Sequence, residues 1–206
     1  MEFKLVADLL NLAGAKTSYT IDRLEQVPFP YENYALLKKD GDKWVYGFFV
    51  QERTNNPYMS VRETFDTKEE GSRYFFLKQL STHFFNSVIT TFRLKHIGST
   101  PETVEDLYKS LQMADISHRT FCVDDTPYHT CVHLKKVNSN ESILSLVSQG
   151  KTIKSSIPLD DYPWAVRLAF RSTFLLHLFQ TEVPKLLQSE GFIETFTDEE
   201  MATFVW

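Results

Sequence analysis

Glycine is scarce in this chain, with 7 glycines among 206 residues, about half of the usual ~7%. The shortage argues against glycine-rich phosphate-binding loops, and neither a GxGxxG nor a Walker A pattern occurs. The GxSxG turn of serine hydrolases is also missing. Because no catalytic signature is present, we expect a protein that is not an enzyme.

The chain has only two cysteines, and it lacks long apolar runs. Two cysteines, Cys122 and Cys131, cannot form the disulfide framework of a chain this long. The first residues, MEFKLVADLL, include acidic side chains and no long apolar core, unlike a signal peptide. No stretch reaches the ~20 apolar residues of a membrane span. We therefore expect a cytoplasmic location, reduced thiols and no membrane partner.

Positive charge is in deficit, because 22 Lys and Arg face 27 Asp and Glu and the net charge is -5. An acidic chain is poorly suited to a phosphate backbone, so we expect no nucleic-acid partner. Hydrophobic residues make up 42% of the chain and aromatic residues 14%. This composition is typical of a globular protein with a large aromatic core.

An internal repeat is the main organisational signal. PYENYALLKK, from Pro30, and PYHTCVHLKK, from Pro127, are identical at five of ten positions. Val6 to Leu9 resembles Val104 to Leu107, and Asp66, Arg73 and Phe76 match Asp160, Arg167 and Phe170 in the same order. Matches in one order at nearly constant offset predict a tandem duplication.

The residue periodicity of the first half predicts a helix, three strands and a second helix. Apolar residues recur at helical spacing near the N-terminus, and alternating runs flank Asp40-Gly41-Asp42, a hairpin signal. The predicted elements are a helix over 2–13, strands over 33–39, 43–52 and 58–65, and a helix from Asp66 or Thr67 to about Phe92. A turn over 98–101, with Thr100 as N-cap and Pro101 next, predicts the start of the second half.

The second half repeats this order. We predict a helix over 102–114, strands over 119–123, 128–137, 142–148 and 151–157, a helix from Asp160 or Asp161 that Pro184 kinks or ends, and a short helix capped by Thr197 or Asp198. The predicted fold class is α+β: two α-βββ-α units, residues 1–98 and 99–206, with antiparallel sheets against long helices. The two units can form one pseudo-symmetric domain, with one sheet or two.

Histidine and cysteine are the candidate metal ligands or nucleophiles. His129 and His133 are four residues apart on a predicted strand, which separates them by ~13 Å. His129 and Cys131 share a face, with Cys122 a further candidate, but no CxxC or helical HxxxH motif supports a metal site. We expect no metal and no cofactor, and we expect both cysteines to be buried, inert thiols.

The stretch YALLKKDGDKWVYGFFVQERTNNPYMSVRETFDTKEEG resembles the immunity proteins encoded beside polymorphic and contact-dependent bacterial toxins. The resemblance covers roughly residues 33–80. It rests on the Lys-Trp-Val-Tyr strand, the Glu-Arg turn and the Phe-Asp-Thr-Lys-Glu-Glu helix start. Thr54 and Gly71 replace the usual glycine and alanine. The resemblance implies a protein of bacterial competition, a toxin inhibitor that binds a cognate toxin domain.

Hairpin tips and turns are where a rigid scaffold presents binding residues. The resemblance and the turn positions together predict a partner-binding surface from Asp40, Asp42, Glu52, Arg53, Asn55, Asn56, Tyr58, Asp124 and Asp125. The same acids could serve only as helix caps and turn residues. Two other functions stay open: a regulatory module that binds a non-toxin protein, and an enzyme that uses His129, Cys131 or paired acids.

Overall fold

The computed structural model describes residues 1–27, 32–51, 56–124, 127–138, 141–193 and 195–206. Contacts divide the chain into two compact units. One comprises Met1–His83 with Leu186–Ile193, and the other comprises Phe84–Lys185 with Glu194–Trp206. Helices and sheets both form, so the α+β class is confirmed. The predicted boundary between residues 98 and 99 stays a prediction.

The first unit contains an antiparallel five-stranded sheet with the order β1-β2-β3-β4-β5. Its elements are α1 (Phe3–Ala13), β1 (Thr17–Tyr19), β2 (Arg23–Gln26), β3 (Tyr34–Asp40), β4 (Lys43–Val50), β5 (Tyr58–Phe65) and α2 (Lys68–Phe84). Gly41 has φ of 59°, so it supplies the left-handed residue of the predicted β3–β4 hairpin. The hairpin pairs Leu37 with Tyr46.

Aromatic side chains cover one face of this sheet. The ring of Trp44 lies 5.4 Å from Phe3 of α1, and the ring of Tyr46 lies 6.0 Å from Phe75 of α2. A Cβ on Gly71 would lie 3.0 Å from the Leu37 side chain, so glycine lets α2 approach β3 closely. Both helices therefore cover the apolar sheet face, as the amphipathic spacing of α1 predicts.

Strands β1 and β2 correct the prediction of a three-stranded first sheet. They are short and mostly exposed, and in this stretch only Thr17 and Leu24 are buried. Such short strands carry too little alternation to be read from sequence. β2 pairs with β3, where Leu24 lies opposite Leu37, and β1 in turn pairs with β2.

The second unit contains a four-stranded sheet with the order β6-β7-β8-β9. From residue 85 the backbone stays helical, with π-helical turns over Phe85–Ile89 and Arg93–Ile97 on either side of α3 (Thr90–Phe92). The other elements are α4 (Val104–Met113), a 3-10 turn (His118–Thr120), β6 (Phe121–Val123), β7 (Cys131–Lys136), β8 (Ser142–Ser148), β9 (Lys151–Ser155), α5 (Tyr162–Ser189) and α6 (Asp198–Val205).

This sheet is mixed, which corrects the prediction of wholly antiparallel sheets. β6 runs parallel to β7, with Cys122 opposite His133, whereas β7, β8 and β9 form an antiparallel meander. Strand direction depends on how the intervening chain returns, and the side-chain pattern of a three-residue strand does not encode it.

In the second unit, one predicted helix cap is confirmed and another is wrong, and of the two alternatives at Pro184, a kink or a helix end, the end is excluded. Thr197 caps α6 in a reciprocal capping box with Glu200. Thr103, not Thr100, caps α4, because its hydroxyl accepts from the Asp106 N–H. Pro184 does not end α5, which continues to Ser189. Buried Val183 and Leu187 flank the proline and help to offset the lost hydrogen bond.

The predicted repeat has a counterpart in strand order. Leu37 of β3 and Leu134 of β7 are each the fourth residue of a strand that two further antiparallel strands and then a helix follow. An irregularity follows at Tyr46/Gly47 in one meander and at Leu146/Val147 in the other. The flanking strands differ, so the tandem duplication stays a prediction. Among the described residues, no helix combines the length and apolarity needed to cross a bilayer.

At the β4–β5 irregularity, the backbone of Gly47 lies very close to that of Ser60. A Cβ there would lie 2.1 Å from the carbonyl oxygen of Ser60. We expect Gly47→Ala to lower the free energy of unfolding, measured in urea, by ~1–3 kcal/mol, because the backbone must shift to make room for the methyl group. Gly41→Asn is the control. A Cβ on Gly41 would meet no described residue within 4 Å apart from its chain neighbours, and asparagine tolerates positive φ. Equal stability of the two variants would contradict the close approach.

Half-buried His83 predicts a pH dependence of stability. Burial lowers the pKa of His83, although a hydrogen bond to the backbone of Ala13 raises it. The unfolded chain then takes up this proton more readily, so stability should fall as pH drops below ~6.5. We expect the loss of unfolding free energy from pH 7.5 to 5.5 to be smaller in His83→Gln than in the wild type. His118→Gln, at an exposed position, should lose as much unfolding free energy over this pH range as the wild type. If all three proteins lose the same amount, His83 is not the group responsible.

Candidate functional site

The predicted partner residues of the first unit lie at opposite ends of β4. Asp40 and Asp42 are exposed at the β3–β4 turn, whereas Tyr58 pairs with Val50 at the far end, next to Asn56. β4 has eight residues, and the seven steps between its first and last residue, at about 3.4 Å each, separate the two ends by roughly 24 Å. The remaining predicted residues of this unit, Glu52, Arg53 and Asn55, lie outside the described residues.

Asp124 is the described member of the acidic pair in the second unit, and Asp125 lies outside the described residues. Asp124 follows β6 with φ of 62°, and its Oδ1 accepts the Lys136 N–H at 3.3 Å. This contact fixes the carboxylate at the end of β7. The turn role expected for Asp124 is thus present, and its side chain is also exposed.

Two exposed aromatic side chains lie at the start of α5, and the first of them is close to the Asp124–Lys136 contact. Tyr162 and Trp164, in the first turn of α5, are 39% and 48% exposed. The Lys136 Nζ lies 5.9 Å from the centre of the Tyr162 ring. Burial, and secondarily the charge of Asp124, raises the pKa of Tyr162. Lys136 links the two groups, because its Nζ lies near the Tyr162 ring and its backbone N–H binds the Asp124 carboxylate.

Strand register explains this proximity. Lys136 pairs with Ser142, and Ser142 forms a bridge with Leu159, which brings the chain just before α5 to the end of β7. Ile157, on the same connection, is 80% exposed. The Asp161 carboxylate accepts the Trp164 N–H at 3.0 Å and caps α5. We call Asp124, Ile157, Asp161, Tyr162 and Trp164 the α5 entry surface.

Sequence reasoning missed the aromatic part of this surface. Trp164 lies within the predicted helix, but its position in the first turn leaves it 48% exposed. The acidic pair Asp160-Asp161 was a visible signal, and its capping role is confirmed for Asp161. What joins Asp161 to Asp124 is the Ser142–Leu159 bridge, which no local motif reveals.

The two thiols lie together, with Cys122 Sγ 3.2 Å from Cys131 Sγ. Parallel pairing of β6 with β7 creates this contact. Cys131 is buried as expected, whereas Cys122 is only half-buried. His129 is exposed and lies before β7, and within the described ranges no three His, Cys, Asp or Glu side chains are placed to hold a metal ion.

The molecule is thus an α+β protein with an exposed aromatic and acidic surface at the start of α5. Comparisons of the chain with protein-family models, with curated proteins and with solved structures gave no match.

Cys131 should be a poor nucleophile. Its hydrogen bond with Cys122, followed by burial, raises the pKa of the Cys131 thiol. The thiolate is the reactive form, so we expect iodoacetamide at pH 8 to label Cys131 at least ~10-fold more slowly in the native protein than in urea. Mass spectrometry of the peptides measures both rates, and Cys131→Ser assigns the signal. Equal native and unfolded rates would contradict the buried, protonated thiol.

Proposed function

We propose that this chain is an immunity protein that binds a bacterial toxin domain and blocks its active site. The observation that carries the proposal is the α5 entry surface, where two aromatic rings and an aliphatic side chain stand exposed beside carboxylates. Binding energy at interfaces concentrates in tyrosine and tryptophan anchors surrounded by a polar rim. The surface has this composition.

Charge supports the same proposal. Asp124, Asp160 and Asp161 are exposed around the aromatic side chains, and the chain as a whole carries a net charge of -5. A toxin that acts on nucleic acids or nucleotides has a basic cleft, since its substrate is anionic. Carboxylates on an inhibitor would speed its approach to such a cleft and imitate the substrate charge. The resemblance of residues 33–80 to immunity proteins points to the same class of partner.

The aromatic side chains and the carboxylates would act on different rate constants of binding. Tyr162 and Trp164 would be buried in the complex and hold it together, so their loss would raise the dissociation rate. Asp124 and Asp160 would lie at the rim and act mainly on the association rate, with a dependence on salt. No catalytic step by this chain is required.

The first test uses Tyr162. The chain is co-purified with the product of the neighbouring gene, and the dissociation constant of the complex is measured by surface plasmon resonance. We expect Tyr162→Ala to weaken binding by ~30-fold, about 2 kcal/mol, mainly through faster dissociation. Tyr128→Ala is the matched control, because Tyr128 is 81% exposed and contacts Gly150 at the β8–β9 turn. Equal effects of the two variants would reject the α5 entry surface as the contact.

The second test uses Asp124→Asn, since asparagine also tolerates the positive φ of this residue. We expect a slower association rate at low salt and a smaller difference from the wild type at high salt. An unchanged rate at both salt concentrations would remove charge imitation as the mechanism. Failure of the neighbouring product to bind the wild-type chain at all would reject the immunity function itself.

A further inference from the structure

A cavity of about 210 Å³ lies within the second unit, between the π-helical segment and the first turns of α5. Its apolar walls include Phe85, Ile89, Trp164 and Leu168. A cavity of 150 Å³ with such a lining accommodates a benzene ring. There is therefore room for one aromatic ring, or a short aliphatic group, with a substituent.

Three arginines line the same cavity. Arg93 donates from Nη1 to the Thr100 hydroxyl at 3.0 Å, and Arg167 donates from Nη2 to the Glu102 carboxylate at 2.8 Å. The guanidinium carbon of Arg171 lies 4.7 Å from the centre of the Phe85 ring. Three fixed positive charges thus border an apolar space in a protein that is acidic overall.

The hydrogen bonding of these arginines is incomplete. The Nε atoms of Arg93, Arg167 and Arg171 are buried and have no acceptor among the described residues. Burial also lowers the pKa of Arg171, although arginine stays charged in proteins. Unpaired donors and a partly desolvated cation are costly, and an anion held in the cavity would offset that cost by electrostatic attraction to the guanidinium groups.

The backbone beside the cavity is unusual too. Phe85, Ile89 and Arg93 come from π-helical turns, in which the Thr90 N–H bonds to the Phe85 carbonyl five residues back. Turns of this kind are rare and are frequent at functional sites. On α5, Trp164, Arg167, Leu168 and Arg171 follow the helical period, so one face supplies both cations and apolar contacts.

We propose that this cavity binds a small organic anion: a carboxylate or a phosphate that carries one ring or a short aliphatic chain. The arginines supply the charge and the planar donors that recognise either head group. The apolar walls enclose the body of the ligand. This site is independent of the α5 entry surface except for Trp164, which lines both, and the inference does not rest on the proposed function.

Isothermal titration of the full chain at low salt tests the proposal with four probes: phenyl phosphate, benzoate, inorganic phosphate and phenol. We expect phenyl phosphate or benzoate to bind at least ~10-fold tighter than both inorganic phosphate and phenol, since charge and ring act together. The tighter of the two identifies the preferred head group. If neither exceeds inorganic phosphate and phenol, the proposal is wrong.

Variants locate the site. Arg167→Gln should weaken binding of the tighter probe by at least ~10-fold, because a charge-assisted hydrogen bond is lost. Arg119→Gln removes the same charge from an exposed position outside the cavity and should leave binding unchanged. Equal effects would overturn the assignment. Should Arg167→Gln fail to fold, intermolecular NOEs from the probe ring to the Leu168 and Ile89 methyl groups of the wild type decide; their absence would also overturn it.

Discussion

A β-sheet with one apolar face must bury that face under another layer, and each unit of this chain satisfies that requirement with helices. In the first unit, α1 and α2 place Phe3 and Phe75 against Trp44 and Tyr46 of β4. In the second unit, Tyr108 of α4 lies 5.4 Å from Phe121 of β6. These aromatic contacts help to hold the strand register, because a slip of one residue would move the rings to the other face of the sheet.

This constraint also determines where chemistry can occur. Helix starts and strand ends lie at the margin of the covered face, where side chains are half-exposed and polar groups can collect. The α5 entry surface arises in this way, because the Ser142–Leu159 bridge leads the chain to the end of β7 just before α5 begins. The arginine-lined cavity arises beside the same helix, where π-helical turns disturb the regular packing.

Charge is distributed unevenly between these two sites. Exposed carboxylates remain hydrated at little cost, so acidic residues can accumulate around Tyr162 without disturbing the fold. The guanidinium groups of Arg93, Arg167 and Arg171 are different, because their Nε atoms are buried. One site is therefore suited to a basic macromolecular surface, and the other to a small anion.

Local signals accounted for much of the fold. Alternation along β4, the Asp-Gly turn of the hairpin, and the Thr197 cap each predicted an element that the structure contains. Strands β1 and β2 were not predicted, because a strand of three or four residues shows too little alternation of apolar and polar side chains. The candidate site was harder to predict. Asp124 was identified from its turn, but Tyr162 was not, since its place in the surface depends on Lys136 and Asp124, which are distant in sequence.

Composition and periodicity within single segments were enough to predict the α+β class, most helices and strands, the net negative charge and the burial of Cys131. The parallel direction of β6, the contact of Cys122 with Cys131, and the meeting of Arg93 with Arg167 and Arg171 emerged only in the folded chain. These depend on how the chain returns between elements, and pairing across such distances is set by the packing of the whole unit rather than by any local preference.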